Sequence, residues 1–329
     1  MKLSSKPKIA VLGGGYSSER NISLNSAKQI YENLDNEIFD PYLVDVSSEG
    51  MFCIYDENKI AIDLNNFSIN IDNRSIIFDF AYIVLHGTPG EDGKIQGYFD
   101  MLNIPYSSCN VFTSALTFDK ISTKKLLSYA GITMANAVIV GKEDFFSVDE
   151  IISQIGLPCF VKPNTSGSSY GISKVYEKEK IIDAINEAAK EDDIIIIEEF
   201  IEGTEVSCGV LKTRKNSFVF PITEICTEND FFDLEAKYTP GMSEEITPAR
   251  ISKKETNLVH EISSKIYDEL GCNGIVRIDY ILKKGVPYFL ELNSIPGMSE
   301  GSIVPKQIRA MGKSMTEILT EVIVDRLGL

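Results

Sequence analysis

LPCFVKPNTSGSSYGISKVYE, Leu157–Glu177, decides how the chain is divided. It reads as a short strand, LPCFVKP, a small-residue loop, NTSGSSYG, and a second strand, ISKVYE. The loop is too long for a tight two-residue turn, so the segment predicts a hairpin with an extended tip. Upstream the pattern differs. Lys8–Gly15, KIAVLGGG, reads as a buried strand ending in glycines, and SLNSAKQIYENL after it has helical periodicity. FDPYLVDV and FDFAYIVLHG predict further parallel strands, GKIQGYFDMLNI a helix, and IPYSS a return to strand. This βαβ alternation makes residues 1–119 a doubly wound α/β unit. Asp119–Ala130 predicts a helix stopped by Gly131, and residues 133–140 a strand.

Downstream of the hairpin comes a helix over Lys178–Lys190 and the apolar strand DIIIIEEF. A third section begins near Val206, with strands VSCGVLK, FVFPITEI, IVRIDYIL and PYFLELN and helices over 255–270 and 303–327. The expected division is 1–119, 120–205 and 206–329, which mixes α/β and α+β architecture. Internal repeats and low-complexity tracts are not seen.

The chain has 329 residues, 43% of them hydrophobic and 24% charged, enough for two or three buried cores. Its net charge of −16 argues against a nucleic-acid partner. A local cluster of cations still suits an anionic nucleotide. No apolar run approaches a membrane span, and no signal-peptide pattern is seen at the start. The six cysteines have no CxxC spacing and mostly sit in apolar, strand-like surroundings. They read as buried reduced thiols, which points to a cytoplasmic location.

Chemistry enters on two strands. In IVRIDYIL, Arg277 and Asp279 share one face, and Val276, Ile278 and Tyr280 the other. The same alternation in YFLELN puts Phe289, Glu291 and Asn293 on one side. Solvated strand faces are one reading. The other is a set of hard oxygen ligands, Asp279, Glu291 and Asn293, suited to Mg²⁺ that keeps phosphates in its remaining positions. Arg277 beside them suits an oxyanion.

Lys162 precedes the Gly/Ser loop, whose N–H groups suit phosphates; a surface hairpin is the alternative, and the P-loop pattern is absent. GGGYSSER fails the dinucleotide fingerprint because Ser18 holds its last position, and Glu19 lies near a helix start. His86 follows a strand at the carboxyl edge of a parallel sheet, where ligands bind, or it is a satisfied loop histidine. His260 reads as structural. Glu198, Glu199, Phe200 and Ile201, with Glu205 beyond, form a charged strand end or an adenine-binding hinge. Lys237 and Tyr238 lie in a loop-like stretch.

Taken in order, the stretches GGGYSSERNISLNSA, LHGTPGEDGKIQGYFDMLNIPYSSC, ALTFDKISTK, CFVKPNTSGSSYGISKV, FFDLEAKY, ITPARI, GIVRIDY and LELNSIPGMSEGSIVP resemble the D-alanine–D-alanine ligases of the ATP-grasp superfamily. The resemblance covers nearly the whole chain. It implies an ATP-grasp fold behind an N-terminal doubly wound domain, ATP-dependent joining of two D-alanines through a D-alanyl phosphate for peptidoglycan precursors, and a homodimer. It implies that Lys120, Lys162 and Lys237 contact ATP phosphates, Glu198–Ile201 the adenine and Glu205 the ribose. Asp279, Glu291 and Asn293 would carry two Mg²⁺, with Mn²⁺ a substitute. Glu19 would hold the first ammonium, with His86 near its carboxylate. Ser168 and Tyr238 would link to Glu19. Arg277 and the Gly297 N–H would face the oxyanion, and Ser302 and Ile303 the second D-alanine. Ser299-Glu300-Gly301 departs from the family's small-residue and histidine run, so D-serine or D-lactate stays open as second substrate. An ATP-binding regulator without turnover is a further alternative, and a nicotinamide oxidoreductase a distant one.

Overall fold

The structure, a computed structural model, describes residues 6–165, 170–227 and 243–329. The first unit holds β1 (Lys8–Gly14), α1 (Arg20–Asn33), β2 (Asp40–Ser47), β3 (Gly50–Tyr55), β4 (Asn58–Ala61), β5 (Ser68–Ile71), β6 (Arg74–Ile77), β7 (Phe80–Ile83) and α2 (Lys94–Leu102). Its sheet runs β4-β3-β2-β1-β7, with β1 parallel to both neighbours. Ile9–Leu12 are fully buried, as a strand covered on both faces must be, which is why this segment is a continuous apolar run. Gly13 is where α1 crosses β1, and a Cβ there would lie 2.6 Å from that of Ala27.

The parallel part is narrower than the sequence suggests. β3 and β4 extend it antiparallel, and β5–β6 form a separate hairpin. Both hairpins turn on two residues with positive φ, Asp56-Glu57 and Asp72-Asn73, which matches the twist of the flanking strands. IPYSS makes only a single parallel bridge, Tyr106 to Ala81. Pro105 has no N–H to give, and the Ser107 hydroxyl takes the Ile83 N–H at 2.9 Å.

Next come α3 (Val111–Phe118), α4 (Lys120–Tyr129), β8 (Ala137–Gly141), α5 (Val148–Ile155), β9 (Cys159–Pro163), β10 (Ser173–Val175), α6 (Ile181–Ala188) and β11 (Ile194–Glu199). β9 and β10 are the expected hairpin, within a four-stranded antiparallel sheet, β10-β9-β11-β8. Asp119 caps α4 by accepting the Ser122 N–H at 2.7 Å.

The last section has β12 (Thr204–Lys212), β13 (Ser217–Val219), β14 (Thr223–Thr227), β15 (Ser243–Ile246), α7 (Lys253–Glu269), β16 (Ile275–Lys283), β17 (Val286–Asn293), α8 (Ile303–Ala310) and α9 (Met315–Leu327). Its antiparallel sheet runs β15-β14-β12-β16-β17, with β13 also on β12. Two predicted elements are split. FVFPITEI breaks into β13 and β14 around Pro221, and 303–327 breaks into α8 and α9. There Gly312 takes φ +76° and Ser314 with Glu317 forms a capping box that starts a new helix.

α8 and α9 fold back onto the first unit, so Val304, Ile308, Ile318 and Leu319 share a core with Ile9 and Phe99. A second core lies between the six-stranded sheet and α3, α4 and α7, and a third between the four-stranded sheet and α5 and α6. Among the described residues no helix is long and apolar enough to cross a membrane.

Candidate active site

β16 and β17 do not pair as uninterrupted alternation predicts. Asp279 lies opposite Glu291 and Arg277 opposite Asn293, but Tyr280 lies opposite Phe289. Leu290 is therefore the extra residue of a β-bulge, and the side-chain phase of β17 flips there. The expectation that Phe289 shares a face with Glu291 and Asn293 is corrected. Phe289 points into the second core, edge-on to Tyr280 at 6.5 Å between ring centres. The bulge lets one strand bury Phe289 on one side and still set Glu291 and Asn293 beside Asp279 and Arg277 on the other.

The Asp279 carboxylate is heavily engaged. Arg277 donates through Nε to Oδ1 at 3.0 Å and through Nη2 to Oδ2 at 2.8 Å. Asn293 Nδ2 donates to Oδ2 at 3.1 Å, and the Ser207 hydroxyl makes a short bond to Oδ1. Burial works against the Arg277 charge, but Asp279 outweighs it and holds the guanidinium firmly protonated. Asn293 donates with its nitrogen, so its oxygen is the atom that could meet a cation. Gln307 of α8 fixes the sheet behind this cluster. Its oxygen takes the Gly209 N–H at 3.0 Å and its nitrogen donates to Ser207 O at 2.9 Å. A Cβ at Gly209 would lie 2.7 Å from that oxygen, so glycine is needed for the approach.

Three lysines converge from α4 and β9. Lys162 Nζ lies 2.6 Å from Glu198 Oε2, and Lys124 Nζ makes a short bond to Oε1. Burial pushes the Glu198 carboxyl up, but Lys162 and Lys124 override it and bring its pKa to about 2. Burial lowers the pKa of Lys120 and of Lys124. Glu291 is the strongest opposing charge on Lys120, which ties α4 electrostatically to the β17 face. Asn164, at the end of β9, holds these parts together. It accepts the Ile121 N–H at 3.0 Å and donates to Asp119 Oδ2 at 2.7 Å.

The first unit presents Glu19, His86 and Glu91 at the carboxyl edge of its sheet. His86 is 5% exposed, and its Nδ1 lies 3.1 Å from Ile295 O. A carbonyl only accepts, so Nδ1 carries the proton. Burial lowers the His86 pKa and favours the neutral ring, which leaves Nε2 an acceptor without a partner among the described residues. Such an atom suits an N–H donor better than a carboxylate oxygen. Glu91 Oε2 accepts the Gly87 N–H at 2.7 Å. Burial, with Glu19 adding, raises its pKa to about 8.

The remaining predicted residues lie at the end of β11, on β12, and in the segment that leads into α8. Glu199 accepts the Asn136 N–H at 3.0 Å. The Phe200 ring lies 6.1 Å from that of Phe160, with Lys174 Nζ 4.1 Å from its centroid, and Ile201 is buried. Glu205 pairs in register with Ile225 and Ile281. Ser302 precedes α8, its Oγ 2.7 Å from that of Ser299, and Ile303 opens the helix. A Cβ at Gly297 would lie 3.0 Å from Ser302 Oγ. Glu300 is exposed and its carbonyl accepts from Arg309 at 3.1 Å. Ser168, Lys237 and Tyr238 lie outside the described residues.

Glu91, Lys124, Asn164, Ser207 and Gln307 are the members that sequence reasoning missed. Lys124 had a legible signal, since it follows Lys120 by four and shares its helix face. Among the described residues no three His, Cys, Asp or Glu side chains converge to hold an ion unaided. Two carboxylates and an amide oxygen still fit Mg²⁺, which takes one or two protein carboxylates and fills its shell with phosphate and water.

Residues 8–109 match the family described as D-ala D-ala ligase N-terminus, and residues 126–324 the one described as D-ala D-ala ligase C-terminus. The D-alanine--D-alanine ligase of Azobacteroides pseudotrichonymphae is 48% identical over 320 residues, 96% of this chain and 98% of that protein. The VanG D-Ala:D-Ser ligase of Enterococcus faecalis superposes with a TM-score of 0.84 at 32% identity, covering 97% of this chain and 99% of that one. The D-alanine--D-alanine ligase of Bacillus anthracis, complexed with ATP, gives a TM-score of 0.78 at 28% identity, covering 98% of this chain and 97% of that one.

Proposed function

Because the chain belongs to the D-alanine–D-alanine ligase family, we propose that it joins two D-alanines with conversion of ATP to ADP and phosphate, supplying the dipeptide for peptidoglycan precursors. The observation that carries this reading is the bulged pairing of β16 with β17. It gathers Arg277, Asp279, Glu291 and Asn293 on one face, with Lys120 within reach of the Glu291 charge.

A carboxylate is a poor electrophile. Its oxygen attacks the γ-phosphorus of ATP, ADP leaves, and the D-alanyl phosphate is open to attack by the second amine; phosphate then departs. Lys120 and Lys162 cradle the phosphates, so catalysis is mainly positioning and charge stabilisation. Asp279, Glu291 and Asn293 would hold two Mg²⁺, or Mn²⁺, which supply neutralising charge to the transferring group. Glu198 is engaged by two lysines, which leaves the strand end from Glu199 to Ile201 to meet the adenine and Glu205 the ribose. Glu19 takes the first ammonium, and the bare Nε2 of His86 suits a second N–H donor beside it. Arg277 and the Gly297 N–H face the oxyanion; Ser302 and Ile303 meet the second carboxylate. Ser168, Lys237 and Tyr238, which lie outside the described residues, are assigned to shielding the acyl phosphate from water by the family resemblance alone. The division at 119 and 205, a homodimer, cytoplasmic operation and independence from nucleic acid belong to the same reading.

The D-Ala:D-Ser ligase neighbour, together with the exposed Glu300 before α8, makes D-serine the second reading. Phosphate release with D-alanine as first substrate and D-alanine, D-serine or D-lactate as second decides. D-alanine turning over best is the expected result. Preference for D-serine or D-lactate contradicts the dipeptide assignment, and ATP binding without D-alanine-dependent ADP contradicts ligation altogether.

A further inference from the structure

Gln307 closes a defect in the sheet that carries Arg277 and Asp279. Along one edge, β12 pairs with β14 as far as Ser207 opposite Thr223, and with β13 from Val210 opposite Val219. Between these points Cys208 and Gly209 face Phe220, Pro221 and Ile222, so the partner side carries one residue too many. Pro221 has no N–H to give to the ladder. The Gln307 carboxamide takes the place of the missing peptide group. Its oxygen accepts the Gly209 N–H at 3.0 Å, and its nitrogen donates to Ser207 O at 2.9 Å and to Thr223 Oγ1 at 3.1 Å. Gln307, Ser207 and Thr223 are fully buried, so losing the amide strands the Gly209 N–H and the Ser207 carbonyl.

Along its other edge, β12 sets Ser207 opposite Asp279 and Gly209 opposite Arg277. Gln307 therefore grips the two β12 residues that stand beside the pair assigned above to metal and oxyanion. It also lies four residues after Ile303, on the same face of α8. The other ties of α8 are less directional. Val304 and Ile308 pack in the core shared with the first unit, and Lys306 reaches Glu245 at 2.8 Å from a partly exposed position. We propose that Gln307 is a positioning residue for the second amino acid, its amide fixing the first turn of α8, with Ser302 and Ile303, relative to Arg277 and Asp279. This rests on the ligase function proposed above. A misplacement of about 1 Å in a reacting group can slow a reaction about 10²-fold. Glu19 and Phe200, assigned to the first ammonium and the adenine, lie on other elements, so their ligands are not placed by α8.

Initial rates of phosphate release over a wide range of D-alanine give separate KM values for the two amino acids, and a thermal melt accompanies each protein. Gln307→Met keeps the length of the side chain and removes the amide. It is expected to raise the second KM about tenfold or more and to leave the first KM and that of ATP within about twofold of wild type. Ile308→Val loosens the same helix through its apolar face; it is expected to lower the melting midpoint and leave the second KM within about twofold. Should Gln307→Met fail to fold, Thr223→Val removes one of the three bonds at nearly constant shape and is expected to raise the same KM about two- to threefold. An unchanged second KM in Gln307→Met, or in Thr223→Val where that variant stands alone, overturns the proposal. So does a rise of all three KM values together, or an equal rise in Ile308→Val. Wild-type protein that releases no D-alanine-dependent phosphate contradicts instead the ligase reading beneath it.

Discussion

Glu291→Gln is expected to lower turnover about 10²-fold or more and leave the unfolding midpoint close to wild type. The loss follows from charge. Several kcal/mol of transition-state stabilisation come from a metal held against the transferring phosphoryl group, and each 1.36 kcal/mol is about tenfold in rate. Glutamine keeps the shape of the side chain and removes the ligand charge. It also removes the strongest counter-charge on buried Lys120. Stability should hold because Glu291 is only half-buried and its neighbourhood, with Asp279 and Glu91, is already rich in carboxylates. Asp279 is a poorer probe, since its replacement strips Arg277, Ser207 and Asn293 of their shared acceptor. Steady-state rates beside a thermal melt check the expectation. Wild-type turnover in Glu291→Gln contradicts the metal assignment.

Glu198→Gln is expected to have the largest effect on stability, a loss of about 3–5 kcal/mol, because it leaves two buried ammonium groups without their counter-charge. Lys124 and Lys162 both end on this carboxylate, which is 3% exposed. Its pH signature is distinctive. The folded-state pKa is brought down from 4.5 to about 2, so the native state binds fewer protons than the unfolded chain across that interval. The stabilisation is complete above 4.5 and disappears as pH falls through about 2. Wild type should therefore lose stability over this window, and Glu198→Gln should lose less of it, since Glu224 and Glu317, also held near 2, keep their share of the limb. Denaturant unfolding at pH 7 and at stepped acid values measures both. A variant as stable as wild type at pH 7, with the acid limb intact, contradicts the pairing.

How much of this was legible in the sequence depended on whether a residue's environment is set locally. KIAVLGGG announced β1 because a strand buried on both faces must be apolar throughout. VRIDY showed its polar face because β16 alternates without interruption. YFLELN misled at Phe289, since the bulge at Leu290 carries no glycine or proline to mark it and exists only in the register with β16. The hairpin turns at Asp56-Glu57 and Asp72-Asn73 carried weak local signals, lacking the glycine that positive φ usually recruits. Lys124 with Glu198, and Gln307 with Gly209, are meetings across long stretches of chain that no periodicity encodes. The return of α8 and α9 to the first unit is likewise a property of tertiary packing.

The central claim is that a D-alanine carboxylate is phosphorylated before the peptide bond forms. Incubating the protein with ATP and D-alanine labelled with ¹⁸O in its carboxylate tests it directly. The acyl phosphate route predicts inorganic phosphate that carries ¹⁸O from the amino acid, with ADP and dipeptide formed in step. Phosphate released without label, alongside D-alanine-dependent ADP, would contradict it.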